Sequence, residues 1–197
     1  MGIPVRFHGK FVSNFTGSKA EVDRAVAAIT SNRSVFLYGI CGTGKTHLAV
    51  GLMMEYLRAG NFGLTEYERM KFTVAENTTS GDGARWLLPY FLPSVELFFE
   101  LKSTFDRKDR TEAQVLDKYS ECPLLLIDDI GTEKISDWSR QIFYTLIDRR
   151  YRNMRQTIIT TNKTPDEIAA TIDDRITSRI FEMGEVIEIK GNDKRIE

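Results

Sequence analysis

Two apolar periods alternate along this chain. From Lys19 to Ile29, Val22, Ala25, Val26 and Ile29 recur at helical spacing and predict an amphipathic helix. Ser34 to Tyr38 is a short apolar run of the kind that fills a strand buried on both faces. Thr46 to Ala59 returns to the helical period. Arg85 to Leu92 reads as a further strand with Pro89 in its middle, where a central strand would lose a ladder hydrogen bond, so an edge position is expected. Ser94 to Phe105 and Thr111 to Tyr119 predict two helices, joined by the charged link DRKDR at 106–110. Pro123 to Asp128 is a continuous apolar strand that ends on carboxylates. A long helix from Ser136 to Asn153, a strand from Gln156 to Thr161, short helices over Pro165–Ala170 and Asp173–Phe181, and a last strand from Glu185 to Ile189 complete the pattern. Strands alternating with helices imply an α/β fold with a parallel sheet covered on both faces. Residues 1–19 read as an irregular lead-in carrying Phe7, Phe11 and Phe15, and 60–83, glycine-containing and aperiodic, as a surface insertion or mobile loop. There are no internal repeats. One domain, 1–197, is expected, with 1–33 as lead-in and first helix.

Composition narrows this little but usefully. The 197 residues suffice for one well-filled core, and a net charge of −1 excludes a uniformly basic nucleic-acid binder while leaving room for a local basic patch. Cys41 and Cys122 lie far apart and fit a reducing compartment. No apolar run reaches membrane-spanning length, the N-terminus lacks a signal-peptide segment, and Arg6 stands where a myristoylation site needs Ser or Thr. A soluble, cytoplasmic protein without a membrane partner is expected.

The chemistry concentrates in GICGTGKT, Gly39 to Thr46, between an apolar strand and a helix. Gly39, Gly42 and Gly44 let the backbone wrap a phosphate chain with its amides inward, and the following helix adds a positive N-terminal dipole. Lys45 is expected on the β- and γ-phosphates of a nucleotide and Thr46 on Mg²⁺, with Thr43 and His47 also lining the nucleotide; the loop alone does not distinguish a kinase, a GTPase and an ATPase. A second element, PLLLIDDI at 123–130, ends a buried strand on two acids: Asp128 is assigned to Mg²⁺ and Asp129 to polarising the attacking water. Asn162, at the tip of QTIITTN, is suited to holding that water or the γ-phosphate. Arg175 and Arg179, four apart on one helical face, suit a charge-stabilising role or a surface ion-pair helix with Asp173 and Asp174.

Two regions bear on DNA. Arg140, Arg149, Arg150, Arg152 and Arg155 make an arginine-rich stretch that tracks phosphates, meets a subunit interface, or is a solvated face. In 94–119, Lys102, Arg107, Lys108, Arg110 and Lys118 accompany Phe98, Phe99, Phe105 and Tyr119, suiting single-strand binding by stacking unless these aromatics are the core face of a helix.

The ordered set resembles AAA+ ATPases of the DnaC- and DnaI-type replicative helicase loader group and the related IstB-type transposition ATPases. It is carried by IPVRF at 3–7, GTGKTHLA at 42–49, LLLIDDIG at 124–131, IITTN at 158–162 and DRITSRI. The resemblance implies a P-loop NTPase fold with a five-stranded parallel sheet of order 5-1-4-3-2. It implies Asn162 as first sensor, Arg179 as the arginine finger given to a neighbouring subunit, with Arg175 as second choice, and Ile3 and Phe7 near the adenine. The helical pair at 94–119 becomes the inserted segment that such loaders use on single-stranded DNA. A replicative DNA helicase and a homo-oligomer with shared ATP sites follow as partners. The alternatives are a transposition helper on duplex DNA and a nucleotide-binding adaptor that hydrolyses little, since Asp129 replaces the more usual Glu. Only about 33 residues precede the first strand and eight follow the last, so neither a separate helicase-gripping domain nor a full helical lid is expected. Lys194 or Arg195 would then stand in for a second sensor.

Overall fold

The computed structural model describes residues 3–59, 89–105, 110–131 and 136–194. Two short 3-10 turns, Val5–Phe7 and Val12–Asn14, lead into helix α1, Lys19–Thr30. Strand β1, Ser34–Tyr38, runs into the glycine-rich loop and helix α2, Lys45–Arg58. Strand β2 is Tyr90–Pro93, followed without a break by α3, Ser94–Ser103, then α4, Glu112–Glu121. Strand β3, Leu124–Ile130, precedes α5, Asp137–Arg152, and β4, Gln156–Thr161. Helices α6, Pro165–Thr171, and α7, Asp174–Met183, lead to β5, Gly184–Glu188.

The expected helices are present to within a residue or three of their ends because side chains stop them there. Thr111 and Gln114 form a reciprocal cap on α4, Thr164 and Glu167 do the same on α6, and Asp173 accepts from the amide of Arg175 at α7. The second strand is shorter and later than expected: Pro89 lies just before it, Pro93 ends it, and 85–88 lie outside the described residues. The expectation for 60–83 also lies outside them, as does most of the 106–110 link.

All strand pairs are parallel and the order is β2-β3-β4-β1-β5. This is the expected 5-1-4-3-2 arrangement read from the other edge, and β2 is an edge strand, where a proline without an N–H is tolerated. Alternate strand residues feed two cores. Val35, Leu37, Leu124, Leu126 and Ile158 face α1, α2 and the lead-in residues Ile3, Phe7, Val12 and Phe15. Phe36, Leu125, Ile127 and Ile159 face helices α3 to α7.

In the arginine-rich stretch of α5 one side chain, Arg150, turns inward, while Arg140 and Arg152 stay exposed. Arg150 is fully buried and donates to the Tyr119 and Cys122 carbonyls at 2.7 and 2.9 Å, to Thr157 Oγ1 at 2.9 Å, and to the Gln156 carbonyl, stitching α4, α5 and β4 together. Arg149 pairs with Asp117 on α4, and Arg152 with the buried Asp148. The stretch is an internal tie at Arg150 and carries surface ion pairs at Arg149 and Arg152.

Candidate functional site

Parallel strands bring their C-terminal ends to one edge of the sheet, and the motif residues gather there. The loop of residues 39–44 leaves β1, the acids end β3, and Asn162 follows β4. Gly44 caps α2 with φ 95° and Gly42 has φ 80°, backbone shapes that side-chain-bearing residues seldom adopt. Lys45 is buried, and its Nζ donates to the carbonyls of Gly39 and Ile40 at 2.9 and 2.7 Å, while the buried Thr43 hydroxyl donates to the Ile40 carbonyl at 3.1 Å. The ammonium is thus held within the loop that would surround a phosphate chain.

The acids occupy an irregularity between β3 and β4: Ile127 pairs with Ile159, but Ile130 pairs with Thr161, so one extra residue is accommodated at Asp128–Asp129. Asp129 carries it with φ 60°. Aspartate tolerates that left-handed conformation better than a longer side chain because its short polar stem bonds locally, a backbone reason for aspartate in place of glutamate. Asp128 Oδ1 accepts from Thr46 Oγ1 at 2.8 Å and from Thr160 Oγ1 at 2.6 Å. Burial pushes the Asp128 carboxyl above the ordinary carboxylate range, and these two hydroxyls pull it back. Asn162 Nδ2 donates to Asp129 Oδ1 at 2.7 Å. Lys45, Thr46, Asp128, Asp129 and Asn162 therefore form one constellation.

Thr160 is the residue that sequence reasoning missed. It is buried, donates to Asp128, and accepts from the amide of Asp129 at 2.9 Å, so one hydroxyl orients both acids. The threonine pair in IITTN was the available signal, because alternate residues of a strand point to opposite faces and one of two consecutive threonines must face the neighbouring acids. Ser94 adds a bond from its hydroxyl to the Asp129 carbonyl at 3.0 Å.

Other expected site residues hold the frame. His47 Nε2 lies 2.7 Å from Asn14 Oδ1 and 3.2 Å from the Phe11 carbonyl, with its ring edge-on to Phe15; burial pushes its pKa below the ordinary value. Its contacts join α2 to the lead-in. Phe7 stacks near Phe91 of β2 at 6.0 Å, and Ile3 packs on the same core. Arg179 Nε lies 3.0 Å from Asp148 Oδ1, its guanidinium between the rings of Tyr144 and Tyr151. Arg175 is far more exposed, at 67% of its side chain, forks onto Asp173 and covers Tyr144. Both arginines face α5 and α7, away from the loop of their own chain in the contacts described. Arg195 lies outside the described residues.

The profile of the family described as IstB-like ATP binding protein matches residues 83–197, which hold the acids, Asn162 and both arginines of α7. The chain belongs to this family. Among relatives of this IstB-like chain, the replicative helicase loader DnaC of Escherichia coli (strain K12) is 28% identical over 156 residues, covering 79% of this chain and 53% of DnaC. The chain spans about half the length of that curated relative. The chromosomal replication initiator protein DnaA of Lactobacillus johnsonii is 27% identical over 179 residues, covering 88% of the chain and 33% of DnaA. The fold is that of the crystal structure of the DnaC helicase loader, with TM-score 0.73 at 24% identity over 95% of this chain and all of that one. DnaI follows at 0.69 and 20% identity over 99% and 95%. A replication initiator DnaA bound to AMPPCP and single-stranded DNA aligns at 0.65 and 19% identity over 98% and 52%. The IstB-like chain thus carries its phosphate-loop sequence in the fold shared by DnaC, DnaI and DnaA. Among its described residues, no helix is long and apolar enough to cross a membrane.

Proposed function

We propose that this chain is an ATP-hydrolysing AAA+ protein of DNA replication that acts beside a replicative helicase on single-stranded DNA. The observation that carries the reading is the joint closure at the sheet edge: Thr46 to Asp128 to Thr160 on one side, and Asp129 to Asn162 on the other. The residues fit ATP and Mg²⁺. A threonine hydroxyl and one half-buried carboxylate already share a hydrogen bond, and Mg²⁺ is usually held by one or two such protein oxygens with phosphate and water completing its shell. Among the described residues, no group of three acids, histidines or cysteines forms a self-sufficient metal site, in keeping with an ion that arrives with the nucleotide. Thr46 and Asp128 would hold Mg²⁺, which supplies charge neutralisation when bound; Lys45 binds the phosphates, and Asp129, aimed by Asn162, orients and deprotonates the attacking water. The short Asp129 stem supports slow hydrolysis.

An arginine from a neighbouring copy completes the site. Arg179 is held rigid by Asp148 and two tyrosines, and Arg175 projects from the same helix face toward solvent, so α7 offers a fixed arginine and an exposed one. Single-stranded DNA is met by α3. The helix buries Ser94, Leu97, Phe98 and Leu101 and leaves Val95 and Phe99 exposed, and just past its end the exposed Phe105 lies, like Lys102, against Trp138. Stacking platforms next to a cation are what single strands need.

The test is ATPase activity of the chain with single-stranded DNA, with duplex DNA and alone, together with pull-down of a hexameric replicative helicase. Stimulation by single strands with helicase capture is expected. Stimulation by duplex alone, without helicase capture, moves the assignment to a transposition helper, the second reading that IstB-like membership favours. Nucleotide binding without turnover on any DNA leaves an adaptor.

A further inference from the structure

The segment after β5 folds back over the outside of the glycine-rich loop. The Lys194 amide donates to the Gly42 carbonyl at 3.1 Å. Lys194 Nζ donates to the Thr16 hydroxyl at 2.9 Å and to the Thr16 carbonyl, and lies 4.5 Å from the centre of the Phe15 ring. One lysine therefore ties this tail to the lead-in across the loop. The carboxylate of Asp193 presses on Gly42 so closely that a β-carbon there would lie 1.8 Å from its Oδ1. A β-carbon on Gly44 would meet the Phe15 ring at 2.9 Å and Lys194 Nζ at 3.6 Å. The bare α-carbons of the loop thus serve two partners: any phosphate within, and the tail without.

The two tail residues bring opposite charges to a loop whose ligand is strongly anionic. The ammonium lies beside Gly44, next to Lys45 and the positive end of α2, where it deepens the positive potential. The carboxylate lies beside Gly42, where it opposes the same ligand. A unit charge beside a bound polyphosphate, partly open to water, changes its affinity by about several-fold.

We propose that Lys194 and Asp193 are nucleotide-positioning residues that set the affinity of the phosphate loop from outside, the lysine by closing the tail over the loop and attracting the polyphosphate, the aspartate by opposing it. This rests on the assignment of residues 39–46 to ATP.

The two neighbours should respond in opposite directions. A fluorescent ATP analogue is titrated against the full chain, with Lys45→Ala as the non-binding reference. Lys194→Met is expected to raise Kd about fivefold or more, Asp193→Asn to lower it about fivefold, and Lys194→Arg to stay near the parent value. Both shifts shrink as salt screens them. Thermal melts of each variant separate folding from binding, and in a folded Lys194→Met an unchanged Kd overturns the proposal. Equal weakening by Lys194→Met and Asp193→Asn also overturns it, leaving the tail as a purely mechanical strap. If the parent chain binds no more analogue than Lys45→Ala, the ATP assignment itself fails and the proposal falls with it; if the parent binds but the opposite responses are missing, only the tail proposal fails.

Discussion

Replacing Thr160 by valine keeps the shape of a buried side chain and removes one hydroxyl from between the two acids. That hydroxyl donates to Asp128 Oδ1 at 2.6 Å and accepts from the Asp129 amide at 2.9 Å. A hydrogen bond to a charged acceptor contributes about 1.5–3 kcal/mol, and taking the acceptor from a buried amide costs about 1–3 kcal/mol more. The two losses share one hydroxyl and relax together, so Thr160→Val should destabilise the chain by about 2–4 kcal/mol in urea unfolding. Thr161→Val is the matched control. Its hydroxyl is equally buried, donates to the neutral Ile130 carbonyl at 2.8 Å and accepts from the Lys163 amide at 3.1 Å, two neutral bonds of about 1 kcal/mol each that touch neither acid. Function should separate the pair further. Without the hydroxyl that most strongly opposes burial, the Asp128 carboxyl rises further above its ordinary range and Asp129 loses a backbone anchor. Thr160→Val should therefore need more Mg²⁺ for nucleotide binding and lose most hydrolysis, while Thr161→Val keeps both. Equal destabilisation and equal Mg²⁺ dependence in the two variants would refute the view that Thr160 organises the acids.

Three other outcomes follow from particular contacts. Arg150→Met strips the donors from six backbone and side-chain acceptors in a dry interior and should cost about 3–5 kcal/mol in the same assay; a loss below about 1 kcal/mol would show that the tie is dispensable. Arg24 and Arg33 hold Glu185 below the ordinary carboxylate value of 4.5, so the stability it contributes is complete above that pH and is lost as pH falls through the lowered value; Glu185→Gln should flatten this acid limb of Tm against pH, and an unchanged limb would contradict it. Phe99→Ala and Phe105→Ala, at positions 68% and 66% exposed, should each weaken single-stranded DNA binding by about 1–3 kcal/mol without lowering Tm; unchanged affinity in fluorescence anisotropy would remove α3 and the turn after it from the DNA surface.

The architecture was legible because hydrophobic period is local. Val22, Ala25, Val26 and Ile29 announce a helix, and LLLIDDI a buried strand, whatever surrounds them. The constellation at the sheet edge was legible for a similar reason: a parallel sheet forces loops after successive strands to one end, so Lys45, Asp128 and Asn162 had to meet. Phe98 could also have been told from Phe99, since 94, 97, 98 and 101 share one helical face and 95, 99 and 102 lie off it. Residues whose roles depend on contacts far along the chain were hidden. Arg150 looks like any surface arginine until the Tyr119 and Cys122 carbonyls close around it, and His47 looks like part of the loop until Asn14 and Phe11 claim it. Pro89 misplaced the second strand because proline marks a strand end as readily as an edge position, and only pairing of Tyr90 with Leu125 separates the two.

Mixing two silent variants tests the shared site most directly. Lys45→Ala removes the phosphate contact, and Arg175→Ala with Arg179→Ala removes the arginines that α7 offers to a neighbour. Each should fold, and only the second should bind ATP; neither should hydrolyse it alone. In an equal mixture, an intact loop of the arginine variant meets intact arginines of the lysine variant, and hydrolysis should return, rising with protein concentration. A mixture that stays silent, or a double arginine variant as active as the parent chain, would contradict a site completed by a second copy.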